Sequence, residues 1–204
     1  MSQLVGVLDY GCGNVRSVTN AITAVGGQHM ICRTLEDLLR VNKLILPGVG
    51  AFDRAMSSLK EKNILEGLRQ YVKNRDNKLL GICLGMQILC HFSEEGCERG
   101  LGIVDAVVYN LARYTSLKIP HMGWNSVSLI CEDPLLEGVQ NLSDFYFVHS
   151  YCVKAKDASV NLGLSSYGVE FSSIIRQDNA WGVQFHLEKS QKVGLRLMKN
   201  FVYL

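Results

Sequence analysis

From Leu4 to Phe92 the sequence alternates short apolar runs with helix-spaced segments, and that rhythm restricts the fold more than any other feature. Leu4 to Leu8 reads as a buried strand. It is followed by the turn-rich Asp9-Tyr10-Gly11-Cys12-Gly13-Asn14. Val15, Val18, Ile22 and Val25 recur at helical spacing until Gly26-Gly27 interrupts them. Met30 to Cys32 has strand character, and Thr34-x-x-Asp37 is a capping-box pattern opening a helix to about Arg40. Lys43 to Leu46 predicts a third strand, ending at Pro47-Gly48-Val49-Gly50, with helices following over about Phe52 to Lys60 and Ile64 to Asn74. Lys78 to Ile82 predicts a fourth strand, with a helix from Leu84 to Phe92. Repeated β-α units of this kind predict an α/β fold, a doubly wound and mostly parallel sheet with helices on both faces. Beyond Ser93 the runs Ile103 to Leu111, Trp124 to Ile130, Phe145 to Val148 and Val183 to His186 read as antiparallel additions to the same sheet. An amphipathic helix is expected over about Gln191 to Phe201.

The 204 residues are 48% hydrophobic, enough for one sizeable core, and no Gly/Ser-rich linker divides them, so 1–204 is expected to form one domain. Lys and Arg number 21 against 19 for Asp and Glu, a balance that argues against a nucleic-acid surface. Neither a membrane-length apolar run nor a secretory leader is visible, which predicts a soluble, cytoplasmic protein without a membrane partner. The seven scattered cysteines form no C-x-x-C pair, so neither a disulfide scaffold nor a metal site is expected.

Gly81-Ile82-Cys83-Leu84-Gly85-Met86 is the thiol counterpart of the nucleophile elbow, at a strand-to-helix junction where that motif belongs. So sharp a turn crowds the neighbouring backbone, which is why positions 81 and 85 must lack side chains. Cys83 then stands where unpaired helix amides favour a thiolate, and the Leu84 N–H can receive an oxyanion. A small core cysteine between two glycines is the plainer alternative. A thiolate of this kind needs a base held by a third group. In Val183-Gln184-Phe185-His186-Leu187-Glu188, strand alternation puts Gln184, His186 and Glu188 on one face. His186 then accepts the Cys83 proton while Glu188 fixes its tautomer. Loops at the carboxyl ends of parallel strands line the ligand crevice, so Pro47-Gly48-Val49-Gly50 should lie beside Cys83, with Val49 and Gly50 offering the second oxyanion amide. Gly11-x-Gly13 lacks the third glycine of a dinucleotide fingerprint, since position 16 is Arg. Trp124 and Trp181 read as core or rim residues.

Together, Gly81 to Gln87 and Gln184 to Glu188 resemble the triad-type, class I glutamine amidotransferases. The blocks Ser93-Glu94-Glu95-Gly96, Pro120-His121-Met122-Gly123-Trp124-Asn125 and Tyr146-Phe147-Val148-His149-Ser150-Tyr151 narrow the likeness. They point to the family of glutaminase subunits of imidazole glycerol phosphate synthase. The resemblance implies Cys83 as nucleophile, His186 as base and Glu188 as orienting acid. It implies that Gln87 and Glu95 hold L-glutamine, with His149, Ser150 and Tyr151 lining the same pocket. His121, Met122, Gly123, Trp124 and Asn125 would lie near the partner, where ammonia leaves. That partner would be a TIM-barrel cyclase subunit, joined as a heterodimer in histidine biosynthesis, and no cofactor is implied. Such proteins usually read His-Pro-Glu, and Leu187 departs from that pattern. A related glutaminase feeding an amidino-sugar synthase would carry the same site. A cysteine peptidase or thioesterase, or a non-catalytic subunit, are more distant alternatives.

Overall fold

The computed structural model describes residues 4–204. Strand β1 (Leu4–Leu8) leads to helix α1 (Val15–Ala24), whose first turn is capped by Asn14 accepting from the Ser17 N–H. Then follow β2 (Gln28–Cys32) and α2 (Leu35–Leu38), where Thr34 and Asp37 form the expected capping box. Next come β3 (Lys43–Gly48), α3 (Phe52–Glu61), α4 (Leu65–Lys73), β4 (Lys78–Cys83) and α5 (Leu84–Leu89). The second half supplies β5 (Ala106–Asn110), β6 (His121–Leu129), β7 (Ser143–His149), β8 (Tyr151–Ala155), β9 (Asn161–Ser166), β10 (Glu170–Gln177) and β11 (Ala180–Val183), then α6 (Gln191–Tyr203).

All eleven strands join one sheet, ordered β2-β1-β3-β4-β11-β10-β9-β6-β7, with β5 on β8 and β8 on β10. Strands β2, β1, β3, β4 and β11 are mutually parallel, and β10, β9, β6 and β7 continue antiparallel. Side chains of the parallel strands divide between two cores, as the pleat requires. Leu44, Leu46 and Leu79 pack with Phe52, Met56, Leu68 and Met86 from α3, α4 and α5. Ile45, Leu80 and Ile82 pack with Val18, Ile22, Leu197 and Phe201 from α1 and α6. The mostly parallel, doubly wound sheet and its antiparallel additions are as expected.

Two expectations need correction, and three strands were missed. The helix after Cys83 stops at Leu89 rather than Phe92. Its last carbonyls are taken by the returning chain instead of another turn, with Leu101 N–H on Ile88 and both Ile103 and Val104 N–H on Leu89. The run Val183 to His186 is not a strand: β11 ends at Val183, and Leu187–Lys189 forms a single 3₁₀ turn. Strands β8, β9 and β10 were not anticipated at all. Among the described residues, no helix is long and apolar enough to cross a membrane.

Candidate active site

Strand β4 ends at Cys83 and α5 begins at the next residue. To turn so abruptly Cys83 adopts φ 54°, ψ −111°, a strained conformation worth on the order of 1–3 kcal/mol that surrounding packing must hold. Both flanking glycines are sterically required. A Cβ at Gly85 would collide with the Leu46 carbonyl, and one at Gly81 with the Gly85 backbone. Gly48 is the register partner of Cys83 on β3, and a side chain there would strike Leu84 and Gly85.

Because β11 lies parallel to β4, the segment that follows Val183 passes beside Cys83. His186 sits just before the 3₁₀ turn, and its N–H donates to the Tyr146 carbonyl at 2.9 Å. The turn, not strand alternation, folds Glu188 back so that Oε1 accepts from His186 Nδ1 at 2.8 Å. That leaves the other ring nitrogen for the Cys83 sulfur, whose interaction with His186 contributes to the imidazole's raised pKa. Burial acts to lower the His186 pKa, but the bonds to Cys83 and Glu188, with the charges of both, outweigh it and raise it to about 10. Glu188 Oε2 is buried without a partner, so the carboxylate is aimed at His186 through one oxygen. Leu187 occupies the first position of the turn, where a proline's missing N–H would cost nothing, and its side chain is buried in the α1–α6 core. Its backbone role is therefore the one a proline would have.

These groups face a cavity of about 410 Å³, a size that suits a small metabolite. Val49, Gly50, Cys83, Leu84, Gln87, Glu95, His149, Ser150, Tyr151 and His186 all line it, as expected from sequence. Pro120, Val148 and Lys189 line it too and were missed. The signal for Lys189 was only its place beside Glu188; its ammonium lies 5.9 Å from the Tyr146 ring centroid. Glu95 is aimed by its surroundings: Oε2 accepts from the Phe52 N–H at 2.9 Å, and Asp53 pins the following loop by accepting from Cys97 and Glu98 N–H. Burial raises the Glu95 pKa, the Phe52 bond lowers it, and the neighbouring Asp53 charge raises it, with a net rise.

The oxyanion amides are only partly arranged. Leu84 opens α5, so its N–H is one of that helix's unpaired donors. The Val49 N–H, by contrast, donates to the Cys12 carbonyl at 3.2 Å and is not free to meet an oxyanion. Gly50 next to it has φ +104°, and nothing lies within 4 Å of where its Cβ would be.

The block His121 to Asn125 does not act as one surface. On β6, alternation turns Met122 and Trp124 outward, 62% and 48% exposed, and turns His121 inward, where it is 3% exposed. Paired with His149 across β6 and β7, His121 donates from Nδ1 to His149 Nε2 at 2.9 Å. The expectation that His121 faces a partner is thus corrected. Trp124 packs edge-on against Tyr146, while Trp181 is a core residue whose Nε1–H donates to Asp133.

Comparison with known proteins adds the family. The family model described as "Glutamine amidotransferase class-I" matches residues 6–204. Imidazole glycerol phosphate synthase subunit HisH 1 of Campylobacter jejuni is 43% identical over 203 residues, covering 98% of this chain and 100% of that protein. Subunit HisH 2 of Pseudomonas aeruginosa is 44% identical over 201 residues, with the same coverage. Among solved structures, PurLQS from Thermotoga maritima superposes with a TM-score of 0.76 at 15% identity, covering 100% of this chain and 99% of that one. A glutamine amidotransferase crystal structure gives 0.75 at 22% identity, covering 98% and 99%. At these identities the two structures speak for the fold alone.

Proposed function

We propose a mechanism on one premise: the chain belongs to the class-I glutamine amidotransferase family, among the HisH glutaminase subunits of imidazole glycerol phosphate synthase. It is an enzyme of that kind, serving histidine biosynthesis. The observation that carries the mechanism is the line Cys83–His186–Glu188 at the floor of a cavity that also holds Glu95.

The Cys83 sulfur attacks the γ-carboxamide carbon of L-glutamine, and the carbonyl oxygen becomes an oxyanion facing the Leu84 N–H. His186, kept protonated by Cys83 and Glu188, gives its proton to the departing nitrogen. Ammonia leaves a γ-glutamyl thioester, which water hydrolyses with His186 as base. The carboxylate of Glu95 receives the α-ammonium, and Ser150 and Tyr151 receive the α-carboxylate through N–H and hydroxyl donors. The second oxyanion donor comes from the Val49–Gly50 peptide once it turns its Gly50 N–H toward the cavity, the Val49 N–H staying on Cys12.

We take residues 1–204 as one glutaminase domain that passes ammonia to a separate TIM-barrel cyclase subunit in a cytoplasmic heterodimer. Water would protonate free ammonia and remove its nucleophilicity, so a sealed contact is needed. The exposed apolar side chains of Met122, Trp124 and Val49 supply one beside the cavity, since Met122 is the register partner of Val148 on its wall. The test is Cys83→Ala in the complex. Glutamine-dependent turnover should vanish while synthesis from added ammonium salts persists; retained glutamine hydrolysis refutes the mechanism.

A further inference from the structure

Beside the residues assigned above runs a buried hydrogen-bonded chain that the mechanism does not use. Gln184 is fully buried, and its Nε2 lies 3.8 Å from Cys83 Sγ, within reach of a sulfur hydrogen bond. Its Oε1 accepts from Gln87 Nε2 at 3.1 Å, and Gln87 Nε2 also donates to the Tyr151 carbonyl at 2.9 Å. From there the chain continues through His149, whose Nδ1 meets the same carbonyl at 2.9 Å, to His121 and then Asn125 Nδ2, 3.3 Å from His121 Nε2. Asn125 Nδ2 closes it on the Ser166 carbonyl at 2.9 Å.

The direction of every bond follows from its two fixed points, because a backbone carbonyl can only accept. Ser166 O requires the amide nitrogen of Asn125 to face it, so the second Asn125 N–H donates to His121 Nε2. That puts the His121 proton on Nδ1, which donates to His149 Nε2. The His149 proton is then on Nδ1 and donates to Tyr151 O. Tyr151 O likewise requires the nitrogen of Gln87, whose other N–H meets Gln184 Oε1. Gln184 is therefore left with its NH₂ toward the sulfur and no alternative orientation that keeps these bonds. Both histidines must be neutral for this pattern. Burial lowers the His121 pKa to about 4, and burial with the His121 charge lowers that of His149 to about 3.

We infer that Gln184 is a hydrogen-bond donor to the Cys83 thiolate, held in that orientation by Gln87, which the Tyr151 carbonyl fixes in turn. A donor to a charged sulfur favours the thiolate over the thiol, independently of the His186 side of the site. The other titratable groups that interact with the sulfur are His186, with Glu188 behind it, and Tyr10 from the loop after β1. Substitution at Gln184 alters none of them. The inference rests on the glutaminase reading only for its kinetic consequence.

The experiment compares wild type with Gln184→Met and Gln184→Leu, titrating Cys83 by its ultraviolet thiolate absorbance against a Cys83→Ser blank. Gln184→Leu removes the donor without placing a charge beside the sulfur, so it decides the matter should the methionine variant not fold. In both, the thiolate fraction at a given pH below the midpoint should fall about tenfold, the size of one charge-assisted bond. In the complex with the synthase partner, kcat for glutamine should fall while KM stays within about twofold, because Gln87 keeps its bond to the Tyr151 carbonyl and Glu95 is unaltered. Folded variants that titrate like wild type, or a loss confined to KM, overturn the inference. If the thiolate shifts as expected and the wild-type complex does not hydrolyse glutamine, the donor stands and the glutaminase reading falls.

Discussion

Gly50→Ala tests how the oxyanion site is completed. In the structure Gly50 holds φ +104° while the neighbouring Val49 N–H is committed to Cys12. Turning the Val49–Gly50 peptide over by a half-turn takes φ to 104 − 180 = −76°, an ordinary value for any residue. An alanine leaves the backbone N–H in place, and its Cβ meets nothing, so the substitution acts on the torsion alone. Holding an L-residue at positive φ costs about 1–2 kcal/mol. The resting loop is thereby disfavoured against the turned one by about 5–30-fold. The turned peptide carries the Gly50 N–H and the Val49 carbonyl, so the Val49–Cys12 bond, made by the preceding peptide, does not oppose the change. A missing oxyanion donor costs about 10²–10³ in rate, so the partner-free rate has room to rise by the whole shift. Glutamate release is measured for the chain alone, with its partner, and with partner plus acceptor substrate. Wild type alone should be slow and accelerate in the last condition. Gly50→Ala alone should be about 5–30-fold faster than wild type alone, with the fully assembled rates equal. An unchanged or slower partner-free rate, in a variant still labelled at Cys83 by a glutamine-mimicking electrophile, refutes the loop reversal.

Glu188→Gln should lower kcat less than His186→Ala, because Oε1 of the amide still accepts from Nδ1; its NH₂ lands where Oε2 has no partner, so melting should also report about 1–3 kcal/mol lost. Glu95→Gln should raise KM for glutamine about tenfold with little change in kcat, as a charge-assisted bond to the α-ammonium becomes neutral; saturation curves decide it. The pKa of His186, raised from 6.5 to about 10, makes its ion pairing a source of stability that is complete below about pH 6.5 and lost as pH rises through about 10. The melting-temperature advantage of wild type over His186→Gln should therefore shrink across that window; an advantage that grows with pH would contradict the sign.

The parts of this fold legible in the sequence are those where one physical requirement dominates. Strands β1, β3 and β4 are buried on both faces and so read as plain apolar runs. The elbow is legible because only glycine fits at positions 81 and 85. Strands β9 and β10 hid because their interior is partly polar. Ser165, Ser172 and Ser173 are buried, with Ser165 Oγ donating to the Ser126 carbonyl and Ser172 Oγ accepting from Ala155 N–H. A serine that finds its partner inside the sheet carries no apolar alternation to read.

The candidate site divides along the same line. Cys83, His186 and Glu188 announce themselves by residue type and spacing, although the spacing works through a turn and not a strand. What sequence does not carry is the state of a backbone group: nothing in Pro47-Gly48-Val49-Gly50 says that the Val49 N–H rests on Cys12. The histidine in β6 is the intermediate case. Its block reads as a surface when taken whole, yet strand alternation already separates His121 and Asn125 from Met122 and Trp124. The missing fact is the pairing of His121 with His149, a contact between two strands that only the sheet register supplies. Once that register is known, the tautomers follow from two backbone carbonyls, and one of these, Tyr151 O, also sets Gln87 and through it the amide nearest the nucleophile. Asn125, beside the exposed Trp124, and Gln184, beside the reacting sulfur, thus belong to two hydrogen-bonded branches that converge on the Tyr151 carbonyl.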